Sequence, residues 1–299
     1  MKGFFQWLFF GNIFLGLCAV ALSVETCFQL NLPINKLLQL LTFLATLFYY
    51  NIAYISEKPP KATNERNEWY FKHHKALLNI QLVIGLSILI ATFLFLRNIQ
   101  EGLLHQKIET LLFLSVFPIT ALLYYGIHPR SFKFFKLRDI GWLKPFLIGF
   151  SWAGMVNVFP IVVDACEKRS WFFISKEVML LFGINWLLCS VIALLFDIKD
   201  YTTDYNVQLK TLVVKRGLKY TLWLGVLPLC LIVVFLEMLL GWAQQRLIWQ
   251  ILLSFLPIML LTLLAFTLQK RKDIFYYLLV IDGIALVKAI CGILICLSA

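Results

Sequence analysis

The stretch VMLLFGINWLLCSVIALLF, residues 178–196, decides the fold, because it runs for 19 residues without a charged side chain. A helix needs about 20 predominantly apolar residues to cross the hydrocarbon core of a bilayer. The stretch ends abruptly at DIKDYTTD, residues 197–204, which contains three aspartates. These residues therefore predict a membrane-spanning helix that carries acidic groups to the membrane surface.

The rest of the chain has the same apolar character. Its 299 residues are 61% hydrophobic and only 14% charged, whereas soluble domains contain about 25% charged residues. This composition excludes a soluble enzyme and a free nucleic-acid binder, and it predicts one all-α, polytopic membrane domain over residues 1–299. Apolar runs separated by polar breaks predict nine transmembrane helices, at residues 6–28, 36–56, 75–96, 106–127, 142–164, 171–196, 219–240, 247–268 and 274–297.

The basic residues predict the orientation of these helices. With the N-terminus inside, nineteen Lys and Arg residues fall on the inner side and seven on the outer side, while Lys288 lies within the last helix. Cytoplasmic loops carry the excess of Lys and Arg in membrane proteins. The count predicts an N-in, C-out, multi-pass protein of the cell inner membrane, with its long functional connections on the cytoplasmic face.

The three aspartates after the sixth predicted helix carry the strongest chemical signal. Asp197, Asp200 and Asp204 are spaced i, i+3, i+7, which places them on one face if the helix continues. Like charges at a helix C-terminus repel each other and oppose the helix dipole, so the arrangement favours a cation among them. Mg²⁺ prefers oxygen ligands and is typically held by one or two carboxylates together with substrate phosphates. The alternative interpretation is a solvated loop of mixed charge in which Lys199 pairs with its neighbours.

Basic residues follow the aspartates. Lys210 and the pair Lys215 and Arg216 are predicted to supply positive charge to a diphosphate group. A divalent cation and these side chains together indicate a phosphorylated ligand at the inner face.

The pattern Asp197-x-x-Asp200-x-x-x-Asp204, followed by Lys210-Thr211-Leu212 and Gly217, resembles the second aspartate-rich motif of the UbiA superfamily of intramembrane prenyltransferases. The resemblance implies nine helices around a central cavity that opens sideways to the lipid bilayer. It also implies a Mg²⁺-bound isoprenyl diphosphate and a lipophilic or aromatic acceptor. By the same resemblance, Asp200 and Asp204 hold the metal, Asp197 assists, and Lys210 contacts the diphosphate.

The first motif of this family, NDxxDxxxD, is only partly present. Asn51 matches its asparagine, but Ile52, Ile55 and Pro59 stand at the carboxylate positions. Asn51 is therefore predicted to be the remaining part of the first site. Glu57, with Glu65 and Glu68 in the same connection as alternatives, is the predicted replacement for a lost metal ligand.

The family also has a Tyr-x-x-x-Lys element after its fourth helix. Tyr125 matches the tyrosine, but Pro129 stands where the lysine is expected. Arg130 and Lys133 follow directly and are the predicted substitutes for binding the diphosphate.

Three functions remain open from the sequence. The first is transfer of an isoprenyl group to an acceptor, the second is a related intramembrane terpene cyclase, and the third is a non-catalytic isoprenoid-binding protein that has lost its first metal motif. Charged residues within or near the ends of the predicted helices face a cavity or a partner in most membrane proteins. The sequence leaves open whether these residues serve structure or function here: Glu25, Glu177, Glu237, Asp282 and Lys288.

Overall fold

In a computed structural model, the chain is described at residues 2–56, 65–125, 140–206, 209–270 and 272–298. Within these ranges the chain forms helices and no strands. The first six helices are α1 (Lys2–Phe10), α2 (Ile13–Gln29), α3 (Lys36–Ser56), α4 (Glu65–Lys72), α5 (His74–His105) and α6 (Ile108–Tyr125). The remaining seven are α7 (Lys144–Glu167), α8 (Lys176–Lys199), α9 (Tyr201–Asn206), α10 (Leu212–Arg216), α11 (Leu218–Ala243), α12 (Ile248–Thr267) and α13 (Tyr276–Leu297).

Seven helices in the described ranges are long and apolar enough to cross a membrane, namely α3, α5, α7, α8, α11, α12 and α13. Helices α1 and α2 meet at an angle of 50° and make an eighth span if they cross together, while α6 is shorter than the others. Each predicted span therefore coincides with a helix, and the chain is an all-helical, multi-pass membrane protein. The count of nine crossings and the N-in, C-out orientation stay predictions.

The break between α1 and α2 follows from two residues. A side chain at Gly11 would collide with the carbonyl oxygen of Trp7. Asn12 adopts a left-handed conformation with φ 61°, which asparagine tolerates better than most residues. The break leaves the carbonyl oxygen of Phe10 available to side chains from other helices.

Helix α8 is the central element of the bundle. Its buried face, which includes Ile184, Leu188 and Leu195, belongs to the largest hydrophobic core. Gly149 of α7 lies directly against the α8 backbone at Trp186, where a side chain would collide. Small residues allow such close packing of membrane helices. This contact brings the first turn of α7 beside the last turn of α8.

Three helices contain a π-helical turn, at Gly154–Val158 in α7, Thr221–Val226 in α11 and Tyr276–Ile281 in α13. The first two come just before Pro160 and Pro228, whose rings interrupt regular α-helical bonding. The turn in α13 has no proline beside it and lies against the central cavity. Single π turns are frequent at functional sites.

Candidate functional site

A cavity of about 1400 Å³ lies between α2, α3, α7, α8 and α13, and we call it the central cavity. Its mouth is at the C-terminal end of α8, where the half-buried Asp200 and the exposed Tyr201 form part of the rim. Its lining follows α8 from Lys199 inward to Cys189, a distance of about 15 Å at the helical rise of 1.5 Å per residue. The cavity thus extends from a polar mouth well into the membrane-spanning part of the bundle.

The three predicted aspartates all line this cavity. Helix α8 ends at Lys199, Asp200 caps it, and α9 carries Asp204. The backbone N–H of Asp204 donates to the carbonyl oxygen of Asp200 at 2.9 Å, so the chain keeps a helical path through this junction. The structure therefore brings the three carboxylates to one surface, as their spacing predicts.

Lys144, in the first turn of α7, lies between two of these carboxylates. Its Nζ is 2.6 Å from Oδ1 of Asp197 and 3.8 Å from Oδ2 of Asp204, and all three residues are buried. Asp200 is more exposed and pairs instead with Lys199 at 3.2 Å. The alternative interpretation from the sequence is thus correct for the Lys199–Asp200 pair. It is incomplete for the other aspartates, because their partner comes from a different helix.

The charges of the mouth bear on whether Mg²⁺ fits there. Within the described ranges, no group of three acidic, histidine or cysteine side chains is arranged to hold a metal ion. The described lining nevertheless contains more acids than bases. The acids are Glu65, Asp197, Asp200, Asp204, Asp273 and Asp282, and the bases are Arg66, Lys144, Lys199 and Lys272.

This excess of negative charge disfavours a free diphosphate and favours one that arrives with a cation. Mg²⁺ is typically held by only one or two carboxylates, with water and substrate phosphates completing its shell. Asp200 and Asp204 fit that donor set, because both line the mouth. Asp197 fits it less well, because its carboxylate lies deeper and forms the short ion pair with Lys144.

The segment that follows α9 owes its shape to the motif residues Thr211 and Gly217. The hydroxyl of Thr211 accepts a bond from the N–H of Val214 at 3.3 Å and so caps α10. Gly217 joins α10 to α11 with φ 82°, a conformation that favours glycine. Lys210 is exposed and is not part of the described cavity lining, so its predicted contact with diphosphate stays a prediction.

A buried polar cluster occupies the end of α3, where the resemblance predicts the first acidic motif. We call it the Arg66 cluster, and it consists of Asn12, Asn51, Tyr54, Arg66 and Tyr70. Arg66 donates to Oδ1 of Asn12 at 2.7 Å and to the hydroxyl of Tyr54 at 3.0 Å. The side-chain oxygen of Asn51 accepts bonds from Asn12 at 2.9 Å and from Tyr70 at 2.7 Å.

The Arg66 cluster links α1, α2, α3 and α4. Its hydrogen bonds join α4 to α3 and to Asn12 at the start of α2. Arg66 and Tyr70 of α4 also contact the carbonyl oxygen of Phe10, at the end of α1. Burial raises the pKa of the Tyr70 hydroxyl to about 12, so this group stays neutral. The corner therefore carries the positive charge of Arg66, while Ile52 points outward and is 41% exposed. Asn51 serves here as a hydrogen-bond acceptor within the cluster.

Several predicted site residues lie outside the described part of the chain. They are Glu57, Arg130 and Lys133, and the side chain of Tyr125 also belongs to this set. The neighbouring Tyr124 is described and lines the central cavity.

The deeper wall of the cavity is apolar and aromatic. The indole N–H of Trp152 donates to the hydroxyl of Tyr50 at 2.9 Å, which fixes two aromatic rings in the wall. Leu15, Cys189 and Ala285 line the same region. An apolar chain attached to a charged group would meet matching surroundings at both ends of this cavity.

A second group of buried charges lies near the opposite ends of the same helices, and we call it the sealed cluster. Lys288 of α13 donates to both carboxylate oxygens of Glu25 of α2, at 2.8 and 2.6 Å. Arg246 lies 3.6 Å from Glu237 and also donates to Gln29. The void among these residues measures about 10 Å³, which is about the space of one water molecule. We therefore expect the sealed cluster to serve structure, a question the sequence leaves open.

Sequence reasoning missed Lys144 and Arg66 as parts of the site. Lys144 is a single lysine beside Pro145 at the start of an apolar helix, and Arg66 lies in a polar connection with other charged residues. A lysine placed where a membrane helix begins is a common interfacial anchor.

The helical bundle, its central cavity and the aspartates at the mouth define an all-helical, polytopic membrane protein with a cavity that is charged at one end and apolar at the other. The chain is similar to a solved structure from a study of the biosynthesis of digeranylgeranylglyceryl phosphate synthase in membranes, with a TM-score of 0.57. The two chains are 17% identical, and the alignment covers 100% of each. No protein-family model and no curated protein matches the sequence. At this identity the likeness establishes the fold, and the activity has to be argued from the site.

Proposed function

We propose that this protein transfers an isoprenyl group from an isoprenyl diphosphate to a lipophilic or aromatic acceptor at the cytoplasmic face of the membrane. The observation that carries the proposal is the central cavity, in which three aspartates at the mouth lead into an apolar and aromatic interior. The synthase with the similar fold supports the same class of reaction.

The shape of the cavity suits an amphiphilic substrate. The diphosphate would lie at the mouth, near Asp200, Asp204 and Lys199. The isoprenyl chain would extend inward past Trp152 toward Ala285, because burial of its apolar surface is favourable there. A lateral opening to the bilayer would admit an acceptor that is itself dissolved in lipid.

Mg²⁺ is the proposed cofactor, held by Asp200 and Asp204 together with the diphosphate. When bound, this ion would neutralise negative charge on the leaving diphosphate. Lys144 keeps Asp197 and Asp204 in place beneath the mouth. Lys210, Asn51, Glu57, Arg130, Lys133 and Tyr125 stay in the proposal with the roles that the sequence predicts.

The proposed reaction breaks the bond between C1 of the isoprenyl group and the diphosphate oxygen. The electron pair of that bond leaves with the diphosphate, and an electron pair of the acceptor forms the new bond to C1. The proton that the acceptor releases goes to an oxygen of the diphosphate. The residues of the cavity contribute by orienting the substrate and by excluding water from the reactive carbon.

A diphosphate-release assay with purified protein tests the proposal. The protein receives farnesyl or geranylgeranyl diphosphate with Mg²⁺, with and without an aromatic acceptor. Release that requires the acceptor supports transfer. Release without acceptor, together with a cyclised hydrocarbon, would indicate a terpene cyclase, and binding without release would indicate a non-catalytic isoprenoid-binding protein.

Two variants link the assay to the site. Asp200→Asn is expected to lower the rate by about 100-fold or more, since it removes charge stabilisation at the leaving group. Glu101→Gln is the matched control, because Glu101 is exposed at the far end of α5 and pairs with Arg169. Full activity in Asp200→Asn would remove the proposed metal site.

A further inference from the structure

Asp282 places a carboxylate inside the central cavity, below its mouth. It follows the π turn Tyr276–Ile281 of α13, and its N–H donates to the carbonyl oxygen of Tyr277 at 3.1 Å. The residue is 7% exposed, and it lines the central cavity.

The Asp282 carboxylate has no direct partner within the described part of the chain. Only its backbone oxygen accepts a bond there from another helix, from the thiol of Cys18 in α2 at 3.7 Å. Arg66 of α4 and Lys199 of α8 act on it electrostatically, but both are engaged in the contacts described above. The thiols of Cys18 in α2 and Cys189 in α8 are further titratable groups close to it.

A buried carboxylate without a hydrogen-bond donor destabilises the protein that contains it. Ionisable groups inside membrane spans usually face a ligand pathway or a partner group. Asp282 faces the cavity among apolar residues such as Leu15 and Ala285. The Asp282 carboxylate is therefore open to a ligand group with positive charge at this depth.

We propose that the Asp282 carboxylate stabilises the positive charge that develops on the isoprenyl group when the isoprenyl diphosphate ionises. This inference rests on the proposed function. With the diphosphate at Asp200 and Asp204 and the chain pointing inward, C1 of the isoprenyl group lies between the mouth and the deep wall. Asp282 is the described carboxylate on that path that has no cation in direct contact.

The step is an electrostatic one. As the C1–O bond breaks, its electron pair leaves on the diphosphate oxygen, and the positive charge is shared between C1 and C3 of the allylic group. The Asp282 carboxylate stabilises this charge across the cavity without forming a bond to carbon. Such fixed charges act strongly in a site with low dielectric that excludes water.

Binding of N,N-dimethylfarnesylamine tests this assignment without turnover. This amine is protonated at neutral pH and carries its positive charge next to the C1 position. Calorimetric titrations are made with inorganic diphosphate and Mg²⁺ present, on the wild-type protein and on Asp282→Asn. We expect the variant to bind the amine at least about tenfold more weakly, because a buried charge pair loses one partner. Farnesol, which is neutral, is expected to bind both proteins equally.

A matched control and a stability measurement complete the test. Glu101→Gln removes an exposed carboxylate outside the cavity and is expected to change amine binding by less than about threefold, as screened surface charges do. Asp282→Asn is expected to melt at the same or a higher temperature than the wild type, because it removes an uncompensated buried charge. A purely structural role for Asp282 predicts a lower melting temperature.

The outcomes separate this inference from the proposed function. Equal amine affinity in the wild type and Asp282→Asn, with farnesyl diphosphate bound by both, overturns the role of Asp282 and leaves the proposed function intact. Failure of both proteins to bind farnesyl diphosphate overturns the proposed function, and the role of Asp282 with it.

Discussion

Two groups of buried ion pairs in the described part of the molecule differ in the space that surrounds them. In the sealed cluster, Lys288 pairs with Glu25 around a void of about 10 Å³. At the other end of the bundle, Lys144 pairs with Asp197 on the wall of a cavity of about 1400 Å³. Similar ion pairs therefore have different uses, since the sealed pair holds helices together and the open pair lies where a ligand can reach it.

The largest expected loss of stability comes from a substitution that breaks the sealed cluster. Lys288→Met leaves the Glu25 carboxylate buried without its partner, and we expect the free energy of unfolding to fall by about 3–5 kcal/mol. Chemical denaturation in detergent measures the change. The double variant Glu25→Leu, Lys288→Met is the control and is expected to recover most of the loss. A single variant as stable as the wild type would contradict the structural role of the cluster.

A smaller loss is expected at the open end. Lys144→Met removes the ammonium group from between Asp197 and Asp204, but the cavity admits water and ions, so we expect a loss of about 1–3 kcal/mol. Millimolar Mg²⁺ is expected to restore part of the stability, because a divalent cation replaces the missing charge. The same addition should leave Lys288→Met unchanged. Equal responses of the two variants to Mg²⁺ would remove the distinction between the clusters.

The Arg66 cluster allows a finer test. Tyr70→Phe deletes a hydroxyl that lies within hydrogen-bond distance of Asn51, Phe10 and Asn12. We expect a loss of about 1–2 kcal/mol, because these buried partners are left unsatisfied. Tyr205→Phe is the matched control, because Tyr205 is exposed on α9. Equal denaturation midpoints for the two variants would show that the cluster does not stabilise the corner beside the cavity.

The smallest effect concerns the cap of α10. Thr211→Ala removes the hydroxyl that accepts from Val214, and the expected loss is about 1 kcal/mol. Hydrogen exchange should become faster at Val214 and its neighbours, while α8 keeps its protection. Thr211→Ser retains a capping oxygen and is expected to behave like the wild type. Unchanged exchange in Thr211→Ala would show that the cap does not hold this segment.

The sequence predicted the parts of this molecule that depend on neighbouring residues. The apolar stretch before Asp197 and the spacing of the three aspartates are local features, and the structure confirms both a helix over the stretch and a shared surface for the aspartates. The resemblance of the fold to UbiA prenyltransferases rests on the same short segment and is supported by the similar solved structure.

The rest of the site depends on contacts between distant segments. Lys144 reaches Asp197 only because Gly149 allows α7 to lie against α8, and Arg66 reaches Asn12 only because the chain bends between α1 and α2. Neither contact leaves a pattern in the sequence itself. The sequence shows that the first motif lacks its carboxylates. It does not show that the buried Arg66 lies at the end of α3 where that motif is expected.

The most direct test of the account is Mn²⁺ binding, followed by electron paramagnetic resonance, with an unreactive thio analogue of farnesyl diphosphate present. We expect the wild type and Glu101→Gln to bind Mn²⁺ when the analogue is added. We expect the double variant Asp200→Asn, Asp204→Asn to lose this binding. Undiminished Mn²⁺ binding by the double variant would contradict the assignment of Asp200 and Asp204, at the mouth of the central cavity, as the site of substrate and metal.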